Sequence, residues 1–265
     1  MTSFDGGGRM AWGRALAALA AMNLILGVAS ARADDTALQR QVEERLRRAK
    51  VYEAAEIRVT VENGSVTLEG LSARMDVSLA AERAARKESK HVVNRLLVVP
   101  EVERKDADIH KDVVDRILRY AWYTVYDSID AGVENGVVLL RGSVNQPYRK
   151  TDIENRVAGI PGVKGLVSEI RVQGVSGFDD RLRIELVRRI YGDERFVQYA
   201  SWVHPPIRII VDKGHITLTG LVGSAVERQL VGPIARGTLA FGVDNQVKLE
   251  RDRTAEPARK TPAES

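Results

Sequence analysis

The chain has 265 residues, of which 44% are hydrophobic and 29% are charged, and its formal net charge is +4. This composition is typical of a folded protein with two or three small domains, and the charge is too near zero to attract nucleic acid or an anionic membrane over a long range. Cysteine is absent, which excludes disulfides, thiolate catalysis, cysteine metal sites and a lipidated N-terminal cysteine.

The first 33 residues have the pattern of a cleaved export signal. Arg9 and Arg14 precede an apolar run from Ala15 to Ala31, which is shorter than the ~20 residues that span a bilayer. The tripeptide that ends at Ala33 has the small-x-small form that signal peptidase accepts. We therefore expect a Sec-type signal peptide over residues 1–33, cleaved after Ala33, and a soluble mature chain that is not a lipoprotein. An uncleaved membrane anchor is the alternative.

A strand-turn-strand phrase occurs three times, as ENGSVTLEG, ENGVVLLRG and DKGHITLTG. In each phrase a turn glycine is followed six residues later by a second glycine. These glycines are Gly64 and Gly70, Gly136 and Gly142, and Gly214 and Gly220. Apolar residues alternate with polar ones on both sides of the turn, which predicts a β-hairpin with one buried face. We expect the first glycine to take a positive φ in the turn, and the second to mark a bend where a bulky side chain would obstruct packing.

An amphipathic helix is predicted before each hairpin, because apolar residues recur there in steps of four. They are Leu38, Val42 and Leu46, then Ile109, Val113 and Ile117, then Leu182, Leu186 and Ile190. An aspartate stands three residues before each first apolar position, at Asp35, Asp106 and Asp179. We expect its carboxylate to cap free N–H groups of its own helix.

A second helix and a closing strand are predicted after each hairpin. In the third repeat Gly232 and Pro233 interrupt this second helix, so we expect it to be short or broken. The order helix, strand, strand, helix, strand predicts an α+β module with two helices packed on a three-stranded mixed sheet. The three tandem modules are placed at residues 35–100, 106–174 and 178–250. A polar tail over 251–265 is predicted to be disordered.

This pattern resembles the BON domain, and the resemblance extends over most of residues 35–250. Besides the hairpin phrase with its two glycines, the closing strand has the form V-x-N-x-L at Val92 to Leu96, weakened at Leu166 to Ile170 and present again at Val243 to Val247. The resemblance implies an exported, periplasmic, non-enzymatic protein that binds phospholipid surfaces and supports the integrity of the cell envelope under osmotic stress. The alternative is a periplasmic interaction scaffold, in which an exposed sheet edge accepts a strand from an envelope protein.

No catalytic or metal site is predicted. The four histidines, His91, His110, His204 and His215, lack the short spacing of a metal site, and there is no Gly-x-Ser-x-Gly motif. The G-x-x-G of residues 162–165 is found in one repeat only, and the basic footprint of a nucleic-acid site is missing. We therefore expect no enzymatic activity, cofactor, metal, small-molecule substrate or nucleic-acid partner.

Aromatic residues are scarce but lie in two clusters. The first contains Tyr120, Trp122, Tyr123 and Tyr126, and the second contains Tyr191, Phe196, Tyr199 and Trp202. Aromatic rings beside cations suit a membrane interface with anionic headgroups. The predicted lipid-binding residues are therefore Trp122, Tyr123, Tyr126, Arg119, Arg149 and Lys150. In the alternative, which we favour for the tryptophans, Trp122 and Trp202 fill the space between helix and sheet, and the tyrosines are more open.

Overall fold

The structure is a computed structural model that describes residues 34–255. The predicted signal peptide and the tail beyond residue 255 lie outside the described residues. Within 34–255, no helix combines the length and the apolar character that crossing a bilayer requires. Residues 251–255 of the predicted disordered tail belong to a 3-10 helix, Glu250–Ala255.

The described chain folds into three modules with the predicted order of elements. The first contains α1 (34–48), a 3-10 helix (Val51–Glu53), β1 (Ala55–Glu62), β2 (Ser65–Ser72), α2 (Met75–Ala85) and β3 (Val92–Val98). The second contains α3 (Asp106–Leu118), β4 (Ser128–Glu134), β5 (Val137–Val144), α4 (Pro147–Ala158) and β6 (Gly165–Val172). The third contains α5 (Gly177–Tyr191), α6 (Val197–Ala200), β7 (Ile207–Asp212), β8 (His215–Val222), α7 (Ala225–Arg236), β9 (Gly242–Asn245) and β10 (Lys248–Leu249). The first module forms most of one compact unit, and the second and third modules belong to another.

Each module has a mixed sheet with the second hairpin strand at its centre. β1 pairs antiparallel with β2, and β3 pairs parallel with β2 on its other side. β4, β5 and β6 repeat this arrangement. In the third module the closing strand is interrupted, so that β9 and β10 both pair parallel with β8. The predicted fold is thus confirmed, and the divided last strand is a local variation of the third module.

The apolar positions of the predicted helices fill a separate core in each module. Of the nine positions, Leu38 is half-buried and the other eight are buried. The prediction that the second helix of the third repeat is short or broken is wrong. α7 runs from Ala225 to Arg236 with Pro233 inside it, and a capping box between Ser224 and Glu227 holds its start.

The aspartates at the helix starts do not cap their own helices as predicted. Each carboxylate instead accepts two backbone N–H groups from the turn of the following hairpin, at 2.7 to 3.0 Å. The pairs are Asp35 with Asn63 and Gly64, Asp106 with Asn135 and Gly136, and Asp179 with Lys213 and Gly214. Both turn residues have a positive φ in all three modules, which leaves their N–H groups pointing outward for a single carboxylate. The correction therefore makes each aspartate a link between a helix and a hairpin.

The second glycine of each phrase lies where two strands approach closely. A Cβ atom at Gly70, Gly142 or Gly220 would lie 1.9, 1.9 or 1.8 Å from a backbone carbonyl oxygen of the partner strand or the residue before it. The φ angles of these glycines are 134°, 126° and 112°, a conformation that side chains rarely allow. Both the space and the backbone conformation therefore require glycine here.

Candidate functional site

The loop that carries the first aromatic cluster and the two residues after Trp202 line an open cleft within the unit that contains the second and third modules. We call it the loop cleft. Its walls are the loop between α3 and β4 and the segment before β7, and its volume is about 340 Å³. The residues that line it are Leu118, Arg119, Tyr120, Ala121, Tyr123, Val203 and His204.

Backbone and side-chain contacts between the two modules fix the loop cleft. The N–H of Ile209 in β7 donates to the carbonyl oxygen of Val125 at 2.9 Å, so the α3–β4 loop covers the outer edge of the third sheet. Arg208 donates to the carbonyl oxygen of Thr124 at 3.2 Å, and its guanidinium carbon lies 4.9 Å from the centre of the Tyr123 ring. The loop is therefore attached to β7 by the backbone as well as by packing.

The tyrosines of the first cluster form the floor of the loop cleft. Tyr120 is 2% exposed, and its hydroxyl donates to the carboxylate of Asp152 at 2.6 Å. Burial, together with this carboxylate, raises the pKa of Tyr120 well above its ordinary value. Tyr123 is 7% exposed, and its hydroxyl accepts the N–H of Ile129 at 3.1 Å. Both tyrosines therefore have structural hydrogen bonds that hold the loop.

The tryptophans lie at the surface. Trp122 is 61% exposed, and Trp202 is 49% exposed with its ring edge-on to Tyr199 at 5.1 Å. The prediction that tryptophans fill the core while tyrosines are more open is wrong. Tyr120, Tyr123 and Tyr199 occupy the interior because each hydroxyl finds a partner there, that of Tyr199 being Glu227.

The predicted lipid-binding residues are only partly brought together. Trp122 and Arg119 are exposed, and the Lys150 ammonium is half-buried, 4.0 Å from Glu154. Arg149 is 8% exposed, and its guanidinium is paired with Asp127 at 2.6 Å. This buried charge is not available to a headgroup.

Tyr123 and Tyr126 also have structural contacts. Tyr126 is half-buried against the core of the third module, and burial raises its pKa. Lipid binding by the six residues stays a prediction. Burial removes Arg149, Tyr123 and Tyr126 from the residues that could contact a headgroup, and Trp122, Arg119 and Lys150 remain.

Sequence reasoning missed Val203, which is 88% exposed beside the loop cleft. The available signal was the extra segment around 191–206, which the other two repeats lack. An insertion that leaves Trp202 and Val203 exposed is a common location for binding residues.

The loop cleft presents side chains that could contact a ligand surface. In residues 34–255 no group of three His, Asp or Glu side chains is placed to hold a metal ion. The exposed groups at its rim are apolar or cationic, so they offer contact area and charge to a ligand surface.

The family model for the BON domain matches residues 34–100, 105–174 and 187–251. The third match begins inside α5, although the third module starts with that helix. The resemblance predicted from the hairpin phrase is confirmed in all three repeats. Among curated proteins, none matches this chain.

Two of the solved structures similar to this chain belong to type III secretion systems. CdsD, a structural protein of the type III secretion system of Chlamydia trachomatis, is 12% identical, with a TM-score of 0.23 over 84% of this chain and 98% of its own. The periplasmic domain of the inner-membrane protein PrgH from S. typhimurium is 14% identical, with a TM-score of 0.20 over 76% of this chain and 95% of its own. Likeness at this level supports no conclusion about function.

Proposed function

Because this chain belongs to the BON domain family, we propose that it is an exported, non-catalytic protein of the periplasm that binds phospholipid surfaces and supports the cell envelope under osmotic stress. The observation that carries the proposal is the 61% exposure of Trp122, which stands in the chain between Ala121 and Tyr123, two residues that line the loop cleft. Tryptophan favours the interface between water and lipid, where its apolar ring and its N–H group are both satisfied.

Other exposed residues of the loop cleft and its flanking segments suit the same role. Val203 and Trp202 on the adjoining segment are 88% and 49% exposed. The Arg119 side chain is 82% exposed, with only a loose contact of 3.6 Å to Asp115. Apolar side chains that enter the headgroup region beside a cation are favoured by anionic lipid.

The free energy that one tryptophan contributes is too small for stable membrane binding, so several residues must act together. Removing about 100 Å² of exposed indole from water contributes about 2.5 kcal/mol at about 25 cal/mol/Å². That is roughly two orders of magnitude in affinity, so Trp122 alone gives weak binding and needs its neighbours and electrostatic attraction. Binding should therefore weaken as salt screens the cations.

Co-sedimentation of the chain from Asp34 to Ser265 with vesicles tests the proposal. Neutral and anionic vesicles are compared at low and moderate salt, for the native sequence and for Trp122→Ala. Tyr52→Ala is the control, since this aromatic residue is 37% exposed and lies in the other compact unit. We expect salt-sensitive binding to anionic vesicles, reduced by up to about a hundredfold in Trp122→Ala and unchanged in Tyr52→Ala. Absence of binding to every vesicle contradicts the proposal.

The export part has its own test. Residues 1–33 supply the signal pattern, and fractionation of cells that express the full sequence should place a protein starting at Asp34 in the periplasm. Retention of an uncleaved chain in the cytoplasm contradicts this part.

An interaction scaffold is the second candidate, and β3 is the observation that favours it. This strand is an edge of its sheet and exposes Val93 and Leu97, by 43% and 61%. An envelope protein that adds a strand here would bind through backbone hydrogen bonds, which tolerate salt. A photo-crosslinker at position 97 should then give a protein adduct in cells, whereas the lipid hypothesis predicts lipid adducts at position 122.

A further inference from the structure

An apolar cluster lies at the surface of the third module, beside the turn of its hairpin. We call Phe178, Leu239 and Phe241 the hairpin-end cluster. Leu239 is 81% exposed and Phe241 is 72% exposed, whereas Phe178 is half-buried. The two phenylalanine rings stack with centroids 5.4 Å apart and an interplanar angle of 22°.

The turn of the hairpin holds these rings in place. The N–H of Phe241 donates to the carbonyl oxygen of Gly214 at 2.8 Å. A Cβ atom at Gly214 would lie 2.5 Å from the Phe241 ring and 3.1 Å from the Phe178 ring. Because position 214 is glycine, the rings can lie directly over the turn.

The fold itself does not require aromatic residues at these positions, as the second module demonstrates. There the residue before the turn-binding aspartate is Lys105, where the third module has Phe178. The residue whose N–H donates to the turn glycine is Lys164, at 2.9 Å from the Gly136 oxygen, where the third module has Phe241. Two lysines build the same turn, so the turn itself does not require the rings; Phe178 also packs against the core of the third module, whereas Phe241 is largely exposed.

Two cations without an ion pair in the described part of the chain flank the cluster. Lys213 is in the turn itself, and Arg181 follows Phe178 by about one helical turn; both are exposed. The nearby acids are engaged elsewhere. Asp179 binds the turn, Asp180 pairs with Arg183, and Asp212 accepts the N–H of Gly174. The cluster therefore combines apolar rings with two exposed cations that make no side-chain ion pair within the described residues.

The hairpin-end cluster is separate from the loop cleft. Trp202 and Val203 lie on the segment that enters β7, whereas the hairpin turn follows the end of β7. The six residues of β7 separate the two surfaces by about 20 Å, at about 3.3 Å per residue.

We propose that the hairpin-end cluster is a second lipid-contact site, at which Phe241 and Leu239 enter the headgroup region of an anionic phospholipid membrane. This inference rests on the proposed function. Anionic headgroups complement Lys213 and Arg181, while the rings and Leu239 leave water.

A second copy of the chain is a poorer occupant than a membrane. A stable dimer buries about 800 Å² on each partner. Three side chains of at most about 150–250 Å² each, one of them half-buried, provide well below that area. A symmetric pair would also bring like cations together, at an energetic cost.

A single tryptophan placed in the cluster tests the inference. The tryptophans of the sequence are Trp12, Trp122 and Trp202, so the chain from Asp34 with Trp122→Phe, Trp202→Phe and Phe241→Trp carries one indole, at the cluster. We expect its fluorescence to shift to the blue with vesicles of phosphatidylglycerol and phosphatidylcholine, and to be quenched by brominated acyl chains. The matched control carries Trp122→Phe, Trp202→Phe and Lys164→Trp, and keeps Phe241. Its one indole is at the equivalent position of the second module, and it should show neither the blue shift nor the quenching.

The possible results separate the two proposals. No change at position 241, while the same tryptophan variant and the native chain both co-sediment with the vesicles, overturns the second site and leaves the proposed function intact. Failure of the native chain to co-sediment contradicts both. A blue shift that grows with protein concentration in the absence of vesicles identifies a second copy as the occupant and overturns the inference.

A second measurement does not depend on the introduced tryptophan. Phe241→Ser with Leu239→Ser in the otherwise native chain should weaken vesicle binding about tenfold, with thermal unfolding unchanged because both side chains are exposed. Unchanged binding in this folded variant also overturns the second site.

Discussion

The guanidinium of Arg149 donates a hydrogen bond of 2.6 Å to the carboxylate of Asp127, and both side chains are buried. Asp127 also accepts the backbone N–H groups of Thr124 and Asn145, at 2.8 and 3.1 Å. This ion pair thus ties the end of the loop that carries Trp122 to the start of α4.

Removing the cation should destabilise the second module strongly. In Arg149→Met the Asp127 carboxylate stays buried without its counter-charge, and we expect a loss of about 3–5 kcal/mol in the free energy of unfolding. The neighbouring Lys150→Met is the control, because its distant contact of 4.0 Å to Glu154 contributes less than about 1 kcal/mol. Denaturant unfolding measures both. If Arg149→Met unfolds like the native chain but loses vesicle binding, Arg149 is a lipid ligand, as the sequence predicted.

The aspartate that links helix and hairpin should be sensitive to loss of charge. In Asp106→Asn one of the two acceptors becomes an N–H₂ group that faces the N–H of Asn135 or Gly136, so we expect a loss of about 1.5–3 kcal/mol. Amide hydrogen exchange at Asn135 and Gly136 measures this loss directly, because both N–H groups should exchange faster in the variant. Asp108→Asn is the control, since Asp108 lies exposed in the same first turn of α3. Equal exchange rates in the two variants would show that the link is dispensable.

The fold was predictable because one pattern is written three times. A single alternating stretch is ambiguous, but Gly64, Gly136 and Gly214 each have the same apolar offsets on both sides. The partner of the aspartate was not predictable. A carboxylate at a helix start looks the same in the sequence whether it binds its own helix or a turn 28 to 35 residues away.

The candidate site was harder to predict because burial there depends on distant partners. From the sequence Arg149 is expected to be a surface charge, because the residues around it in the chain do not indicate that Asp127 lies beneath it. From the sequence Tyr120 is expected at an interface, although its hydroxyl donates a hydrogen bond to the carboxylate of Asp152, 32 residues later. Trp122 has no such partner and stays exposed. Hydrophobicity alone therefore ranks these residues in the wrong order.

Glycine at the second position of the phrase should be essential for the hairpin. In Gly142→Ala the new Cβ would lie 1.9 Å from the carbonyl oxygen of Ser128, and the φ of 126° adds about 1–3 kcal/mol of strain. We expect the second module to unfold at clearly lower denaturant concentration, or to fail to fold. Gly132→Ala on the paired strand is the control, because its Cβ would meet nothing within 4 Å. Similar stability of the two variants would contradict the close approach of the strands.

The buried tyrosines should make the protein sensitive to alkali. Burial raises the pKa of Tyr191 above the ordinary 10.0, because the phenolate would lose its hydration. The folded state then keeps a proton that the unfolded state releases. The stabilisation is complete below the unfolded pKa of about 10 and is lost as the pH rises towards the folded pKa, by at most about 1.4 kcal/mol for each pH unit.

Tyr191→Phe separates this effect from packing. The hydroxyl of Tyr191 donates to the carbonyl oxygen of Ile207 and accepts its N–H at 3.1 Å, so the variant should lose about 1–3 kcal/mol at neutral pH. Above a pH of about 10 its stability should fall less steeply than that of the native chain, since one ionisation is absent. Denaturant unfolding across the alkaline range gives both slopes. Parallel profiles would mean that Tyr191 ionises equally in the folded and unfolded states, in which case its burial contributes nothing to the alkaline transition.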